Sequence, residues 1–206
     1  MDIRIEAHKV GKTFNRRVIF NDISFSLRQK QILRIIGRNG SGKSTLIKII
    51  GHVLAATNGT VRILTGNGET KHPLMLMGLV SPYLQMYDEF TAWENLSFGF
   101  AIRGLKVQAA TIEQTLRTVS LYERRHDQVR TYSSGMKQRL KYAFALVHEP
   151  PILLLDEPMA NLDAEGTSMV RQMMDEQQRR GILIVATNDL SDLETFDLQV
   201  DLNGVC

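Results

Sequence analysis

The sequence predicts an α/β fold in which strands and helices alternate around a parallel sheet. Two short runs, at 152–155 and 182–186, are apolar at every position, as in strands that are buried on both faces of such a sheet. Residues 165–180, between these runs, have helical periodicity with one polar face. A second strand and helix, at 31–36 and 44–50, are joined by a glycine-rich turn. Strands that alternate with helices in this way predict an α/β core.

The rest of the chain predicts two additions to this core. Short strands with period-two alternation precede the glycine-rich turn and follow its helix. From about 91 to 147 the spacing of apolar residues becomes helical. We therefore expect a single domain over residues 1–206, with strand-rich parts on both sides of a helical insert at about 91–147. The segments expected as additional strands are 3–7, 18–20, 23–27 and 60–64.

The composition is that of an ordinary globular protein. Of 206 residues, 43% are hydrophobic and 23% are charged, which excludes collagen-like and disordered chains. The single cysteine, Cys206, excludes a disulfide scaffold and fits a reducing compartment. No apolar run reaches about 18 residues, and the first residues lack the apolar centre of a signal peptide. We therefore expect a protein of the cytoplasm.

Charge is unevenly distributed along the chain. Residues 1–141 have a net charge of +12, whereas residues 142–206 have a net charge of −9. A basic block of this size suits nucleic acid or anionic lipid headgroups. Its charges are scattered, however, and are not interleaved with the aromatic side chains on which single-stranded nucleic acid stacks. We therefore expect a solvated helical surface and no nucleic-acid partner.

The glycine-rich turn has the sequence of a phosphate-binding loop. Residues 37–45, GRNGSGKST, fit G-x-x-x-x-G-K-[ST] between a strand and a helix, which is the context that this motif requires. Its backbone N–H groups and the positive end of the following helix attract phosphate, Lys43 reaches the β- and γ-phosphates, and Ser44 ligates Mg²⁺. We expect a nucleoside triphosphate here. The expected nucleotide contacts are Gly37, Asn39, Gly40, Ser41, Gly42, Lys43, Ser44 and Thr45.

Two carboxylates follow the apolar strand at 152–155. A nucleotide hydrolase needs an acidic ligand for Mg²⁺ and a base that orients water. Asp156 and Glu157 supply both at adjacent positions, with Asp156 as the metal ligand and Glu157 as the base. An acidic pair of this kind is often no more than the end of a strand, but together with the phosphate-binding loop it indicates a catalytic pair.

Further motifs make the chain similar to the ABC transporter ATPase family over essentially its whole length. Residues 132–139 resemble the signature segment of that family, and Ser133 precedes Asp156 by 23 positions. Residues 156–163 resemble its second Walker motif and the D-loop that follows. Phe14 is at the position of the aromatic side chain on which the family stacks adenine, although an aromatic here also suits a core. The resemblance implies a P-loop NTPase with a RecA-like core, an N-terminal antiparallel β-subdomain and an inserted helical subdomain.

The resemblance also implies two such domains packed head to tail with ATP between them. Ser133 and Gly135 of one domain would contact the γ-phosphate that lies on the phosphate loop of the other, and Asp163 in the D-loop is a further nucleotide contact. A hydroxyl and backbone N–H groups at the start of a helix form a site for an anion. The partner is either a second copy of the chain, which gives two equivalent sites, or another ABC ATPase.

Two positions depart from the pattern of the family. Where the family has a histidine at the γ-phosphate, the chain has Asn188, which donates a hydrogen bond but carries no positive charge. We expect Asn188 to act in hydrolysis and to make it slow. The glutamine that the family uses to sense Mg²⁺ and to couple to its membrane partner would fall near Ser81 or Pro82. Gln85 is the nearby glutamine, so either Gln85 or another group supplies this ligand.

Three classes of function fit these motifs. They are the ATP-binding subunit of an exporter with a separate membrane chain, an ABC ATPase that acts on ribosomes or DNA, and a nucleotide-gated module with little turnover. Members of the second class generally carry two cassettes or long inserts, and this sequence has one cassette. We therefore expect integral membrane subunits as partners and a location at the inner face of the cell membrane. Segments 90–96 and 132–140 resemble the subunit of the cytochrome c maturation haem exporter.

An apolar segment precedes the helical insert. Met86, Tyr87, Phe90 and Trp93 would form a groove for a helix of the membrane partner, or they belong to the core.

Overall fold

The computed structural model describes residues 2–204, which form two β-sheets and a group of helices. Cys206, which supports the expected reducing compartment, lies outside the described residues. The first sheet is antiparallel and the second is parallel, so the predicted α/β fold with an antiparallel β-subdomain is confirmed. The strands are β1 (Ile3–Phe14), β2 (Arg17–Arg28), β3 (Ile32–Ile36), β4 (Asn58–Thr65), β5 (Gly68–Glu69), β6 (Met77–Val80), β7 (Ile152–Asp156), β8 (Ile182–Thr187) and β9 (Leu198–Asp201).

The order of strands is β2-β1-β4-β5 in the antiparallel sheet and β6-β7-β8-β3-β9 in the parallel sheet. The helix that follows β3 starts at the phosphate-binding loop, and the long helix between β7 and β8 crosses over the sheet. Three helices lie between β6 and β7, in the segment where the sequence predicts helical structure. The helices are α1 (Lys43–Ile50), α2 (Ala92–Ala101), α3 (Ala109–Thr118), α4 (Ser134–Leu146) and α5 (Ala164–Arg180). Among the described residues, none of these helices combines the length and apolar character needed to cross a bilayer.

The first two strands form one long hairpin, which the sequence predicts only as separate short pieces. Each strand has 12 residues, and the register between them shifts at three points, between Ala7 and Val10 and again on both sides of Lys12. These irregularities interrupt the period-two alternation by which a strand is recognised. The turn contains Asn15 and Arg16, both with positive φ, as a tight hairpin turn requires.

The parallel sheet lies between two hydrophobic clusters. Every residue of β7 is buried, and successive side chains point to opposite faces. Leu153 and Leu155 pack with the helical insert and α5, whereas Ile152 and Leu154 pack with α1 and the antiparallel sheet. This arrangement explains why the segment is apolar at every position. It also leaves the carboxyl end of the strand as the place where polar side chains emerge.

A capping box starts the helical insert at a fixed position. The Thr91 hydroxyl accepts a hydrogen bond from the backbone N–H of Glu94 at 3.1 Å, and the Glu94 carboxylate accepts one from the N–H of Thr91 at 2.7 Å. Asn95 is buried, and its side chain bonds to both the N–H and the C=O of Tyr87. These bonds fix the segment that leads from β6 into α2.

Gly78 in β6 allows the edge of the parallel sheet to approach α4 closely. A Cβ at this position would lie 2.3 Å from the carbonyl oxygen of Ala145 and 2.9 Å from Pro150 Cγ. The carbonyl belongs to the backbone of α4, so an added methyl group would have to displace the helix or the strand.

We expect Gly78→Ala to lower the free energy of unfolding by about 1–3 kcal/mol, because overpacking against backbone atoms cannot be relieved by a change of rotamer. Gly66→Ala is the matched control, since nothing lies within 4 Å of its added Cβ. We expect the control to change stability by less than about 0.5 kcal/mol. Chemical denaturation of both variants measures the difference, and equal stabilities would contradict the close approach of β6 and α4.

Candidate functional site

The phosphate-binding loop joins β3 to α1 at the carboxyl edge of the parallel sheet. Gly40 and Gly42 have φ values of 82° and 104°, which disfavour other residues, and nothing lies within 4 Å of a Cβ added at Gly40. The loop therefore presents open backbone to a cleft of about 450 Å³. The first turn of α1 has no acidic residue of its own, so its positive end favours an anion from outside the helix. The cleft is lined by Phe14, Ile19, Asn39, Gly40, Gly42, Lys43, Ser44, Thr45, Pro82, Tyr83 and Glu157.

Lys43 lies at the base of the cleft and forms an ion pair. Its side chain is buried, with 6% exposed, and Nζ lies 3.2 Å from Glu157 Oε1. Nζ also donates a hydrogen bond to the carbonyl oxygen of Gly37 at 2.8 Å. Glu157 directly follows β7 and has a φ of 51°, and its N–H bonds to the carbonyl of Ala186 in β8. The positive charge of the loop and the proposed base are therefore in direct contact.

Asn188 follows β8 and reaches the same cleft. Its side-chain amide donates to Asn39 Oδ1 at 3.2 Å, and its backbone N–H donates to Glu157 Oε2 at 3.3 Å. The structure thus brings together Lys43, Glu157, Asn188 and Asn39, which the sequence predicts as parts of one site. Their catalytic roles remain predictions.

Asp156 ends β7 and lies deeper than Glu157. It is buried, and Oδ1 has no hydrogen-bond partner within residues 2–204. Burial raises the pKa of this carboxyl group, and the hydroxyls of Ser44 and Ser81 oppose that rise. A buried carboxylate with an unpartnered oxygen beside a hydroxyl suits a hard divalent cation such as Mg²⁺, which prefers oxygen ligands. Asp156 and Ser44 therefore fit the metal-binding roles that the sequence predicts.

Gln85 does not line this cleft. It lines a second cleft of about 390 Å³, together with Ser134, Lys137 and Lys141. The side chain that contacts Asp156 from this part of the chain is Ser81, whose hydroxyl donates to Oδ2 at 3.4 Å. Gln85 therefore does not lie where a ligand of a metal at Asp156 would have to lie.

Two exposed aromatic side chains line the nucleotide-sized cleft. Phe14, at the end of β1, is 42% exposed, and the ammonium of Lys12 lies 4.7 Å from its ring centre. Its exposure agrees with a stacking role rather than with a core position. Tyr83 is 69% exposed, and Lys48 lies 4.4 Å from its ring centre. The sequence does not identify Tyr83, because no motif fixes the path of the segment after β6.

The start of α4 presents polar groups on another part of the surface. Ser133 is the N-cap residue, and its hydroxyl oxygen accepts from the N–H of Met136 at 3.2 Å. This bond uses a lone pair and leaves the O–H as a donor. A Cβ added at Gly135 would meet one atom within 4 Å, the Ser133 hydroxyl at 4.0 Å, so the backbone here is open to a partner.

Arg139 joins the start of α5 to α4. Its side chain is 12% exposed and contacts Asp163 and Glu165, each at 3.1 Å. Asp163 is the N-cap residue of α5, and its carboxylate accepts from the N–H of Gly166 at 2.8 Å. The sequence motif contains Arg139 without indicating this role, which depends on how the two helices pack.

Sequence comparisons agree on one family. Residues 20–160 match the ABC transporter domain family. The chain is 34% identical over 191 residues to YxlF of Bacillus subtilis (strain 168), described as an uncharacterized ABC transporter ATP-binding protein, and this covers 92% of the chain and 64% of YxlF. It is 32% identical over 209 residues to the bacitracin transport ATP-binding protein BcrA of Enterococcus faecalis, which covers 100% of the chain and 67% of BcrA.

Solved structures share the fold. The structure of an ATP-binding subunit of an ABC transporter superimposes with a TM-score of 0.84 at 24% identity, covering 97% of this chain and 85% of that one. A bacterial Atm1-family ABC exporter with ATP bound gives 0.82 at 22% identity, covering 97% of this chain and 37% of the exporter. The chain spans less than two thirds of the length of some curated relatives, as the coverage of YxlF shows.

Proposed function

The chain belongs to the ABC transporter family, and from that membership we propose that it is the ATP-hydrolysing subunit of a transporter with separate membrane-spanning subunits. The observation that carries this proposal is the pair of contacts that Glu157 makes at the cleft: its carboxylate lies 3.2 Å from Lys43 Nζ and accepts a hydrogen bond from the N–H of Asn188. The names of relatives such as BcrA support transport. The relatives reported above are not named for haem, so the haem assignment stays a prediction.

The residues of the cleft suit hydrolysis of a nucleoside triphosphate. The open backbone of the loop and Lys43 bind the β- and γ-phosphates. Asp156 and Ser44 would hold Mg²⁺, which would supply positive charge against the charge that develops on the phosphates. Glu157 orients water and accepts its proton as the water oxygen bonds to the γ-phosphorus. The bond from the γ-phosphorus to the bridging oxygen breaks, and ADP and phosphate leave. Phe14 stacks on the adenine.

A pair of domains completes the site. Ser133 and Gly135 lie at an open helix start that suits the γ-phosphate of a facing domain. Asp163, the further expected nucleotide contact, is held against α4 by Arg139. The partner is a second copy of the chain or another ABC ATPase.

An apolar groove suits a helix of the membrane-spanning partner. It has a volume of about 270 Å³ and lies among the ends of α1, α2 and α4. Leu74 and Ile102, which line it, are each 51% exposed. Arg103 lines the same groove, and an acidic side chain on the partner would complement its positive charge. Binding there would hold the chain at the inner face of the membrane.

The aromatic segment before α2 divides between surface and core. Met86 and Trp93 pack against the hydrophobic interior. Tyr87 and Phe90 are exposed and form an aromatic cluster with Phe98, at centroid distances of 5.1–6.4 Å. The segment therefore divides between the two alternatives that the sequence leaves open, a groove and a place in the core.

A nucleotide-gated module with slow turnover is the second candidate function. Asn188 at the cleft favours it, because a neutral amide stabilises the negative charge of the transition state less than an imidazolium does.

We expect Glu157→Gln to form a dimer in MgATP, because ATP remains bound between two domains when the base is lost. Analytical ultracentrifugation at micromolar protein concentration measures the association. The matched control adds Lys43→Ala, which removes the phosphate contact and leaves a monomer. A monomer of Glu157→Gln with ATP bound would count against pairing of two copies and would leave another ABC ATPase as the partner.

We expect Asn188→His to raise ATP turnover by about 10-fold, because it replaces a weak donor at the transition state with one that can be charged. Steady-state phosphate release from wild type and variant measures the change. Unchanged turnover would show that a histidine at position 188 does not accelerate hydrolysis. It would favour the slow module only if both proteins hydrolyse ATP very slowly.

We expect Leu74→Glu to abolish co-purification of membrane proteins with the tagged chain from its native cells, because it places a charge in the apolar groove. Val18→Glu is the control, since Val18 is also exposed but lies in β2. Mass spectrometry identifies the proteins that are recovered. Equal recovery of membrane proteins with both variants would show that the docking surface lies elsewhere. Recovery of ribosomal proteins in place of membrane proteins would contradict the transport role.

A further inference from the structure

We infer that the hydroxyl of Ser81 belongs to the oxygen set that holds Mg²⁺ in the cleft, together with Asp156 and Ser44. The inference rests on the proposed function and deepens it, since it assigns a metal-binding role to a residue with no predicted role. It also decides between Gln85 and another group for that role.

The register of the parallel sheet places Ser81 beside Asp156. In the pairing of β6 with β7, Val80 lies opposite Leu155, so the next residues on the two strands are Ser81 and Asp156. Neighbouring strands lie about 4.8 Å apart, which keeps the two side chains within reach of one another. Ser81 is 4% exposed, and its hydroxyl is the donor in the 3.4 Å bond to Oδ2 of Asp156.

The polar groups at this point are incompletely satisfied. Asp156 Oδ1 is buried and unpartnered within residues 2–204. Leaving a carboxylate oxygen in this condition is unfavourable, and a cation with oxygen ligands removes the penalty. The Ser81 oxygen accepts one bond, from the N–H of Tyr83 at 3.4 Å, and donates its hydrogen to Asp156. It therefore keeps a lone pair for the cation or for one of its waters.

The surroundings of Gln85 do not suit a cation. The cleft that it lines contains one carboxylate and two ammonium groups. The carboxylate, Asp88, pairs with Lys137 at 2.7 Å, and the positive charge of Lys141 disfavours Mg²⁺ there. Lys141 donates a hydrogen bond to the carbonyl oxygen of Pro82 at 3.3 Å. This bond ties the segment between Ser81 and Gln85 to α4 and helps to hold Ser81 at the metal side of the segment.

The test measures how strongly Mg²⁺ tightens nucleotide binding to the full chain. The dissociation constant of AMP-PNP, a non-hydrolysable ATP analogue, is measured by calorimetry in Mg²⁺ and in EDTA. By linkage, the ratio of the two constants equals the factor by which the affinity of the nucleotide for Mg²⁺ rises when the nucleotide binds the protein. We expect Ser81→Ala to reduce this ratio by about 10-fold and to leave the constant in EDTA unchanged, whereas Gln85→Ala keeps the wild-type ratio.

Two further measurements separate metal binding from folding. Ser81→Thr keeps the hydroxyl and should keep most of the ratio, and thermal unfolding verifies that each variant is folded. Electron paramagnetic resonance with Mn²⁺ as the probe measures the metal directly in the AMP-PNP complex. An unchanged ratio in Ser81→Ala, or a reduced ratio in Gln85→Ala, overturns the inference. Wild-type protein that does not bind AMP-PNP overturns the proposed function instead.

Discussion

Burial of β7 on both faces is the constraint on which the rest of the structure depends. A strand without a solvent-facing side carries apolar side chains along its length and polar ones at its end. Because β6 and β8 run parallel to it, their carboxyl ends reach the same edge as Asp156. Ser81 and Asn188 follow those two strands, and the phosphate-binding loop follows β3. The chemistry of the cleft thus comes from residues distant in sequence that share one edge of the sheet.

Polar contacts connect this edge to the helical insert. Arg139 on α4 is shared by two carboxylates at the start of α5, and α5 follows β7 in the chain. Lys141, on the same helix, bonds to the segment that follows Ser81. The helix α4 therefore begins with the polar groups that would face a second domain, and it also makes two contacts near the cleft of its own domain. A shift of α4 would change both surfaces together, because the packed interior does not deform continuously.

The sequence predicts those parts of the molecule that a local pattern determines. The buried strands at 152–155 and 182–186 and the phosphate-binding loop are found where apolar runs and glycine spacing place them. The sequence does not predict the long hairpin as one unit, because its bulges interrupt the alternation of apolar and polar residues. It does not predict β6, because that strand has only four residues and one of them is a glycine. The sequence does not show whether Ser81 or Gln85 lies beside Asp156, because that depends on the path of the short segment that contains them. Tertiary hydrogen bonds determine this path, and no periodicity in the sequence indicates it.

The ion pair of Lys43 and Glu157 makes phosphate binding an exchange of anions. An ammonium group that already contacts a carboxylate binds a phosphate only when it weakens or gives up the first partner. The affinity for the nucleotide is then the difference between two attractions. Under the proposed mechanism the exchange also releases the carboxylate that is to orient water, so the base becomes available only after the phosphates have arrived. Neutralising Glu157 would remove the competitor and the proposed base together, so nucleotide affinity and turnover would change in opposite directions through this one residue.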